Sequence, residues 1–244
     1  MRLFKKKVNE KEIWFKECLA KYRSLDKSHR FSVNKEDFWK CLNDNTSNIK
    51  FDPHYTYHPA WAARCLARIN PTKHIDISSI LNFNVVLSAF VPTEFYDYRP
   101  AEVKNLSGLE CKGADLNCLP FADNSVESLS CMHTVEHVGL GRYGDEIDPD
   151  ADLRAISELK RVIMPGGNIL FVVPIGKPRI QYNAHRVYSY DMIMEYFADF
   201  ELVEYSLIPD NAYDVGIIIN ATREQTDAQY YACGCFWFKK IKAN

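Results

Sequence analysis

From Lys73 onward the chain alternates short apolar runs with longer amphipathic stretches, the pattern of strands and helices that build a mostly parallel sheet. HIDIS (74–78), TEFYDY (93–98), GLECKGAD (108–115), VESLSCM (126–132) and NILFVVP (168–174) predict five strands. ILNFNVVLSAF, DADLRAISELKRVI and SYDMIMEYFA predict helices, the second stopped by Pro165-Gly166-Gly167. FELVEYSLI and AQYYACGCFWFKKI predict two closing strands, and the turn-rich stretch 210–226 between them has no clear periodicity. Before Lys73 the apolar spacing is helical. EKEIWFKECLAKYRSL places Ile13, Phe15, Leu19 and Tyr22 at helical intervals, and Asn34 is positioned to cap a second helix, KEDFWKCLND. HPAWAARCLARI (58–69) predicts a third, with Pro59 in its first turn and Asn70-Pro71 as its stop. The expected organisation is a helical N-terminal extension, residues 1–72, packed on an α/β domain, residues 73–244.

Composition narrows the picture only slightly. A hydrophobic fraction of 47% and a charged fraction of 25% suit a globular chain, and the length of 244 residues is enough for a substantial core. The net charge of −2 gives no global drive toward nucleic acid or an anionic membrane. MRLFKKK is basic but is followed by VNEKEIWFKE, so it is not read as a secretion signal; the Lys5–Lys7 cluster leaves surface association open. No apolar run approaches the roughly 18–20 residues of a membrane span. None of the eight cysteines (18, 41, 65, 111, 118, 131, 233 and 235) forms a C-x-x-C pair, which suggests buried thiols in a reducing cytoplasm instead of disulfides or a zinc site. Cys233 and Cys235 share one face of a strand, most simply as small core residues.

In sheets of this kind ligands bind beyond the carboxyl ends of the strands. Asp76, Asp97 and Asp115 fall at three successive strand ends, and the step from Asp76 to Asp97 is 21 residues. That spacing suits a first loop holding a cofactor's polar tail and a second acid accepting hydrogen bonds from ribose hydroxyls. A single strand-end aspartate more often caps the following helix; three in register favour a site. After the fourth strand stand His133, Glu136 and His137, and after the fifth Tyr182, Asn183, His185 and Arg186. An imidazole titrates near neutrality and is suited to remove a hydroxyl proton, so His137 and His185 are the general-base candidates, although either could simply pin a loop. Arg186 could pair with a phosphate or carboxylate, or equally with an internal acid. His54, Tyr55 and His58 could form a lid, with plain packing the simpler reading. GLGRYGDEIDPDAD carries several aspartates, but its spacing does not match a calcium loop, and no metal is expected; the acids suit a helix start. No GKS/GKT loop or G-x-S-x-G elbow is present, which makes NTP hydrolysis and serine-hydrolase chemistry poor candidates.

Taken in order, an aspartate after strand one, another after strand two, G-A-D-L-x-x-L-P-F-x-D-x-S, H-T-V-E-H and E-L-K-R-V-I-M-P-G-G resemble the class I S-adenosylmethionine-dependent methyltransferases over about residues 73–240. The resemblance implies a Rossmann-like, mostly parallel seven-stranded sheet with a closing antiparallel strand pair. It implies S-adenosylmethionine as cofactor, with Asp97 on the ribose, Asp115 and the Leu116 backbone on the adenine, and Met132 and His133 along the ribose and methionine portion. Asp76, Ser78 and Ser79 stand where the family has a D-x-G-x-G turn, and here the chain departs from it, its first glycine being Gly108. Either the serine side chains point inward and crowd the methionine end, or one of them caps the next helix and leaves its amides free for a carboxylate. E-H-V-G-L-G-R-Y-G-D and N-A-H-R-V-Y further resemble a poorly characterised methyltransferase-like branch whose bacterial members often accompany polysaccharide biosynthesis. That implies a small-molecule or glycan substrate, with Glu136, Tyr182, Asn183 and Arg186 on the acceptor side. The expected activity is methylation of a hydroxyl on a sugar or glycan precursor. The alternatives are a non-catalytic scaffold of the same fold, or an enzyme using the crevice for a nucleotide-sugar. The oligomeric state stays open, and the N-terminal helices suit a dimer contact, a lid or extra core equally.

Overall fold

The computed structural model describes residues 9–242; the Lys5–Lys7 cluster lies outside them. The chain divides into two compact units, residues 1–51 and 52–244. In the first, α1 (Glu10–Leu25) buries no residue. It is held by an edge contact between Phe15 and Phe38 and by an ion pair of 2.9 Å between Glu12 and Lys40. The helix expected over KEDFWKCLND reduces to a single 3-10 turn, Lys35–Asp37, and Asn34 does not cap it through its side chain. Trp39 is 88% exposed, so no apolar face was available to stabilise a longer helix.

The second unit starts earlier than its sheet. α2 (Pro53–Ile69) begins five residues before the predicted start. The Asp52 side chain accepts the Tyr55 amide at 3.2 Å, and Pro53 supplies a preset φ at the first helical position. Pro59 therefore lies inside the helix, which stops at Asn70 as expected; Asn70 takes the left-handed conformation. The sequence groups α2 with residues 1–72, yet its Trp61, Ala62, Cys65 and Leu66 are buried in the core of the sheet domain.

The strands follow as β1 (His74–Ile77), β2 (Thr93–Asp97), β3 (Leu109–Gly113), β4 (Val126–Met132) and β5 (Ile163–Ile175). A short hairpin comes next, β6 (Arg179–Gln181) and β7 (His185–Val187), then β8 (Phe200–Ile208), β9 (Ile218–Ile219) and β10 (Ala232–Lys240). The main sheet has the order β3-β2-β1-β4-β5-β10-β8-β9. The first five strands are parallel, and β10 lies antiparallel between β5 and β8. The seven expected strands are present, extended by the two-residue edge strand β9. The hairpin was not foreseen. β5 is continuous through Pro165-Gly166-Gly167, where its pairing with β4 is irregular between Val126 and Ser128.

Alternation along β5 separates two core layers. Ile169, Phe171 and Val173 face α4 (Ala151–Val162) and α5 (Tyr190–Tyr196), whereas Leu170 and Val172 face α2 and α3 (Leu81–Leu87). The stretch 210–226 resolves into α6 (Ala212–Val215), β9 and the start of α7 (Arg223–Asp227). Among the described residues no helix is long and apolar enough to cross a membrane. The chain order reverses between β1 and β4, so their carboxyl ends open a crevice there.

Candidate active site

That crevice is a cleft of about 1040 Å³, at the upper end of the range for small-molecule sites. The acid ladder enters it only in part. Asp97 ends β2 on the cleft, where one carboxylate oxygen accepts the Arg99 amide at 2.7 Å. Asp115 also lines it and closes its own turn by accepting the Asn117 amide at 2.8 Å. Asp76 sits inside β1, is fully buried and does not line the cleft. It accepts the Ser79 amide at 3.0 Å and the Ser130 hydroxyl. Burial pushes its carboxyl up to about 6, against the pull of those hydrogen bonds.

The first turn resolves the question of the two serines differently from either expectation. Ser78 takes φ +55°, the left-handed conformation that favours glycine. Its hydroxyl and amide both turn to the Tyr96 carbonyl, at 3.2 and 2.7 Å. The Ser79 hydroxyl accepts the Met132 amide at 3.1 Å. Neither hydroxyl is therefore free to crowd the cleft, and neither caps α3, whose N-cap is Ile80 without a side-chain bond. Thr134 ties the two loops together by donating to the Ser78 carbonyl at 2.9 Å.

At the other end His133, also at positive φ (+55°), follows β4. Its Nδ1 lies 2.9 Å from Oε1 of Glu136, a carboxylate only 1% exposed. Around His133 stand His54 and Tyr55, stacked at 5.5 and 5.3 Å, and His58, edge-on at 5.1 Å. Tyr231 continues this wall between His54 and His185, at 5.5 and 5.1 Å. Burial lowers His54 to about 4 and holds His58 and His185 below their ordinary value, so these imidazoles are neutral at pH 7. Burial likewise pushes Tyr55 up to about 12. His133 Nε2, His58 Nε2, His185 Nε2 and Glu136 Oε2 are buried without a hydrogen-bond partner among the described residues.

The two base candidates come together, with ring centres 6.1 Å apart. His137 Nδ1 lies 2.6 Å from the Ala184 carbonyl and 3.3 Å from the Arg142 guanidinium; the much closer carbonyl calls for an N–H at Nδ1, which leaves Nε2 as the basic nitrogen, 3.8 Å from Glu136. Asp145 shapes the adjoining loop by accepting the Gly139, Gly141 and Tyr143 amides at 2.8, 3.2 and 3.0 Å. Burial opposes its charge, but these amides hold its carboxyl below the ordinary value. Gly139 is obligatory here, because a Cβ would meet the Asp148 carbonyl at 2.2 Å. Asp145 thus organises backbone.

Of the predicted site residues, Ser78, Asp97, Asp115, Leu116, Met132, His133, Glu136, His137 and His185 line the cleft. Tyr182 and Asn183 do not; they sit at the hairpin turn, with Tyr182 72% exposed. Arg186 is buried and away from the cleft lining. It donates to the Val138 and Pro149 carbonyls at 2.6 and 3.1 Å and pairs with Asp152 at 3.5 Å. It is a clamp on the loop before α4, the internal pairing that was the other reading of this residue. His54 and Tyr55 belong to the lining, and Tyr231 joins them from β10's approach. Nothing local marks Tyr231, which reaches the cleft only through the closing strand. Four cysteines (65, 131, 233 and 235) are buried, and all eight are unpaired. The exposure of Cys18, Cys41 and Cys118 departs from the expected burial.

Comparison with solved structures places this architecture. The YcgJ protein of Bacillus subtilis is similar with a TM-score of 0.53 at 14% identity, covering 76% of this chain and 99% of that one. A complex of the Haloferax volcanii Trm112 methyltransferase activator with a methyltransferase gives 0.52 at 18% identity, covering 79% and 92%. Burkholderia thailandensis 1,6-didemethyltoxoflavin-N1-methyltransferase, with bound 1,6-didemethyltoxoflavin and S-adenosylhomocysteine, gives 0.52 at 11% identity, covering 77% and 81%. The fold is that of the Rossmann-like methyltransferases. In sequence, residues 121–231 match a family model described as Caenorhabditis protein of unknown function, DUF268. No curated protein matches the chain.

Proposed function

We propose that the protein is an S-adenosylmethionine-dependent methyltransferase acting on a hydroxyl of a small polar acceptor, a sugar or glycan precursor. The carrying observation is that one cleft holds both Asp97, at the end of β2, and His137, whose basic nitrogen is fixed by the Ala184 carbonyl. The residues present fit the cofactor. Asp97 keeps a carboxylate oxygen beyond the one engaged by Arg99, and Ser78 already holds the positive φ that the first turn requires. In this reading Asp97 takes the ribose diol, Asp115 and Leu116 the adenine edge, and Met132 and His133 the stretch toward the methionine end. When bound, S-adenosylmethionine supplies an electrophilic methyl on sulfur. His137 accepts the acceptor hydroxyl proton at Nε2, and buried Glu136 stabilises the imidazolium that results. His185, kept neutral by burial, and the flat faces of Tyr55 and Tyr231 offer a sugar its mixed polar and apolar surface.

One observation favours a second reading. The Ser78 and Ser79 amides are both engaged internally, so the first turn offers a carboxylate tail fewer donors. A nucleotide-sugar would use the same diol and base positions without needing them. Thermal shift with S-adenosylhomocysteine, S-adenosylmethionine and nucleotide-sugars separates the readings. S-adenosylhomocysteine at a hundredfold excess over its Kd is expected to add about 2.7 kcal/mol of stability, and Asp97→Ala is expected to abolish that gain. Stabilisation by nucleotide-sugar alone supports the second reading, and no response to any of them supports a scaffold.

A further inference from the structure

We propose that His54, His133 and Cys233 form a binding site for a divalent transition metal of the zinc class at the inner end of the cleft. The residues come from three distant parts of the chain: the first turn of α2, the loop after β4, and β10. Their ligand atoms nevertheless lie within 4.8 Å of one another. In a tetrahedral site with bonds of 2.0–2.3 Å, ligand atoms sit roughly 3.3–3.8 Å apart, so closing on an ion takes about an ångström of side-chain adjustment. Two imidazoles and a thiolate are the donor set that zinc prefers over magnesium or calcium.

The strongest support is the state of His133. Its side chain is 5% exposed, Nδ1 is engaged by Glu136 at 2.9 Å, and Nε2 is buried without a partner among the described residues. A carboxylate on one ring nitrogen with the other left open is the arrangement by which metal-ligating histidines are oriented and made more basic. As a structural histidine alone, His133 would leave a buried polar nitrogen unsatisfied, which carries a penalty. Cys233 is fully buried, and among the described residues its sulfur has one polar contact, Cys235 Sγ at 3.9 Å. His54 and His133 line the cleft, and Cys233 does not. The fourth coordination position is therefore reached from the cleft, as in sites that admit water or a substrate atom. Binding takes both histidines neutral and releases the Cys233 thiol proton to solvent, so affinity rises with pH.

The site does not depend on S-adenosylmethionine binding, and its test reads metal directly. The 244-residue chain, stripped with chelator, is titrated with cobalt(II) and then zinc(II). The expected result is one equivalent of cobalt with tetrahedral visible bands and a near-ultraviolet thiolate charge-transfer band, displaced by zinc. Cys233→Ser is expected to lose the charge-transfer band, and Cys235→Ser to keep it. Glu136→Gln is expected to weaken binding about 10–100-fold. His54→Ala, at a partly exposed helix-end position, is expected to lose stoichiometric binding and serves if Cys233→Ser fails to fold. Absence of a tetrahedral cobalt spectrum in wild type, or a charge-transfer band that survives Cys233→Ser, overturns the proposal.

Discussion

Ser78 shows how one position can hold a left-handed turn beside the cleft without glycine. The left-handed conformation costs an ordinary residue about 1–2 kcal/mol, and at Ser78 it is offset by two bonds to the Tyr96 carbonyl. A glycine there would relieve the strain but lose the hydroxyl bond and gain freedom in the unfolded chain, effects of similar size. Ser78→Gly is therefore expected to change the urea unfolding free energy by less than about 1 kcal/mol. Ser78→Val combines a branched Cβ with the same φ and no hydroxyl, and a loss of roughly 2–3 kcal/mol is expected. Comparable losses for the two variants would mean that the turn is not held in this conformation. From sequence, the absent glycine singles out this turn, and the positive φ of Ser78 lies there. The direction of the two hydroxyls was not legible, because both are taken by carbonyl and amide groups of neighbouring strands.

At the scale of elements, α2 is the piece that converts a bare sheet into a walled cleft. Trp61 donates its indole N–H to Glu204 of β8 at 2.8 Å, and Arg68 pairs with the same carboxylate while lying 4.7 Å over the Trp237 ring. Glu204 is 9% exposed, so removing it strands the buried Trp61 donor, whereas Arg68, 56% exposed, keeps its water. Glu204→Ala is expected to destabilise by about 2–3 kcal/mol and Glu204→Gln, which can still accept from Trp61, by about 1 kcal/mol, as read by urea denaturation. Equal effects would assign the loss to charge alone. β4 was legible to the residue because Val126, Leu129, Cys131 and Met132 fall in one short segment bounded by polar turns. α2 was legible in existence but not in extent, since Pro59 imitates a first-turn proline while Asp52-Pro53 is the actual start. The β6–β7 hairpin was not, because strands of three residues carry no period. The same limit applies to the site. His137 and His185 announce themselves by residue type, whereas Tyr231 and Cys233 reach the histidine wall only through the antiparallel closure of β10.

For the molecule as a whole, the concentration of neutral imidazoles predicts a particular response to acid. Burial holds His54 at about 4, His74 at about 3 and His58 well below its ordinary 6.5. The unfolded chain takes up these protons below about pH 6.5, and the native state does not. Unfolding thus binds protons, and stability falls with pH from about 6.5 downward, by about 1.4 kcal/mol per pH unit for each histidine. Asp76 acts in the opposite sense: with a native value of about 6 against 3.8, it binds its proton in the native state first and offsets one histidine between those values. The net expectation is a loss of about 2–3 kcal/mol between pH 6 and pH 5 for chelator-treated protein. His74, flanked by the Ser128 and Ser130 hydroxyls at 2.8 and 2.9 Å, is the cleanest probe because it lies outside the cleft lining. His74→Asn is expected to lower stability at pH 7, where the neutral ring is satisfied by both serines. It is also expected to flatten the pH 6–5 slope by about 1.4 kcal/mol per unit. Urea unfolding at a series of pH values reads both quantities, and a slope unchanged in the variant would show that His74 takes up its proton equally in the native and unfolded states.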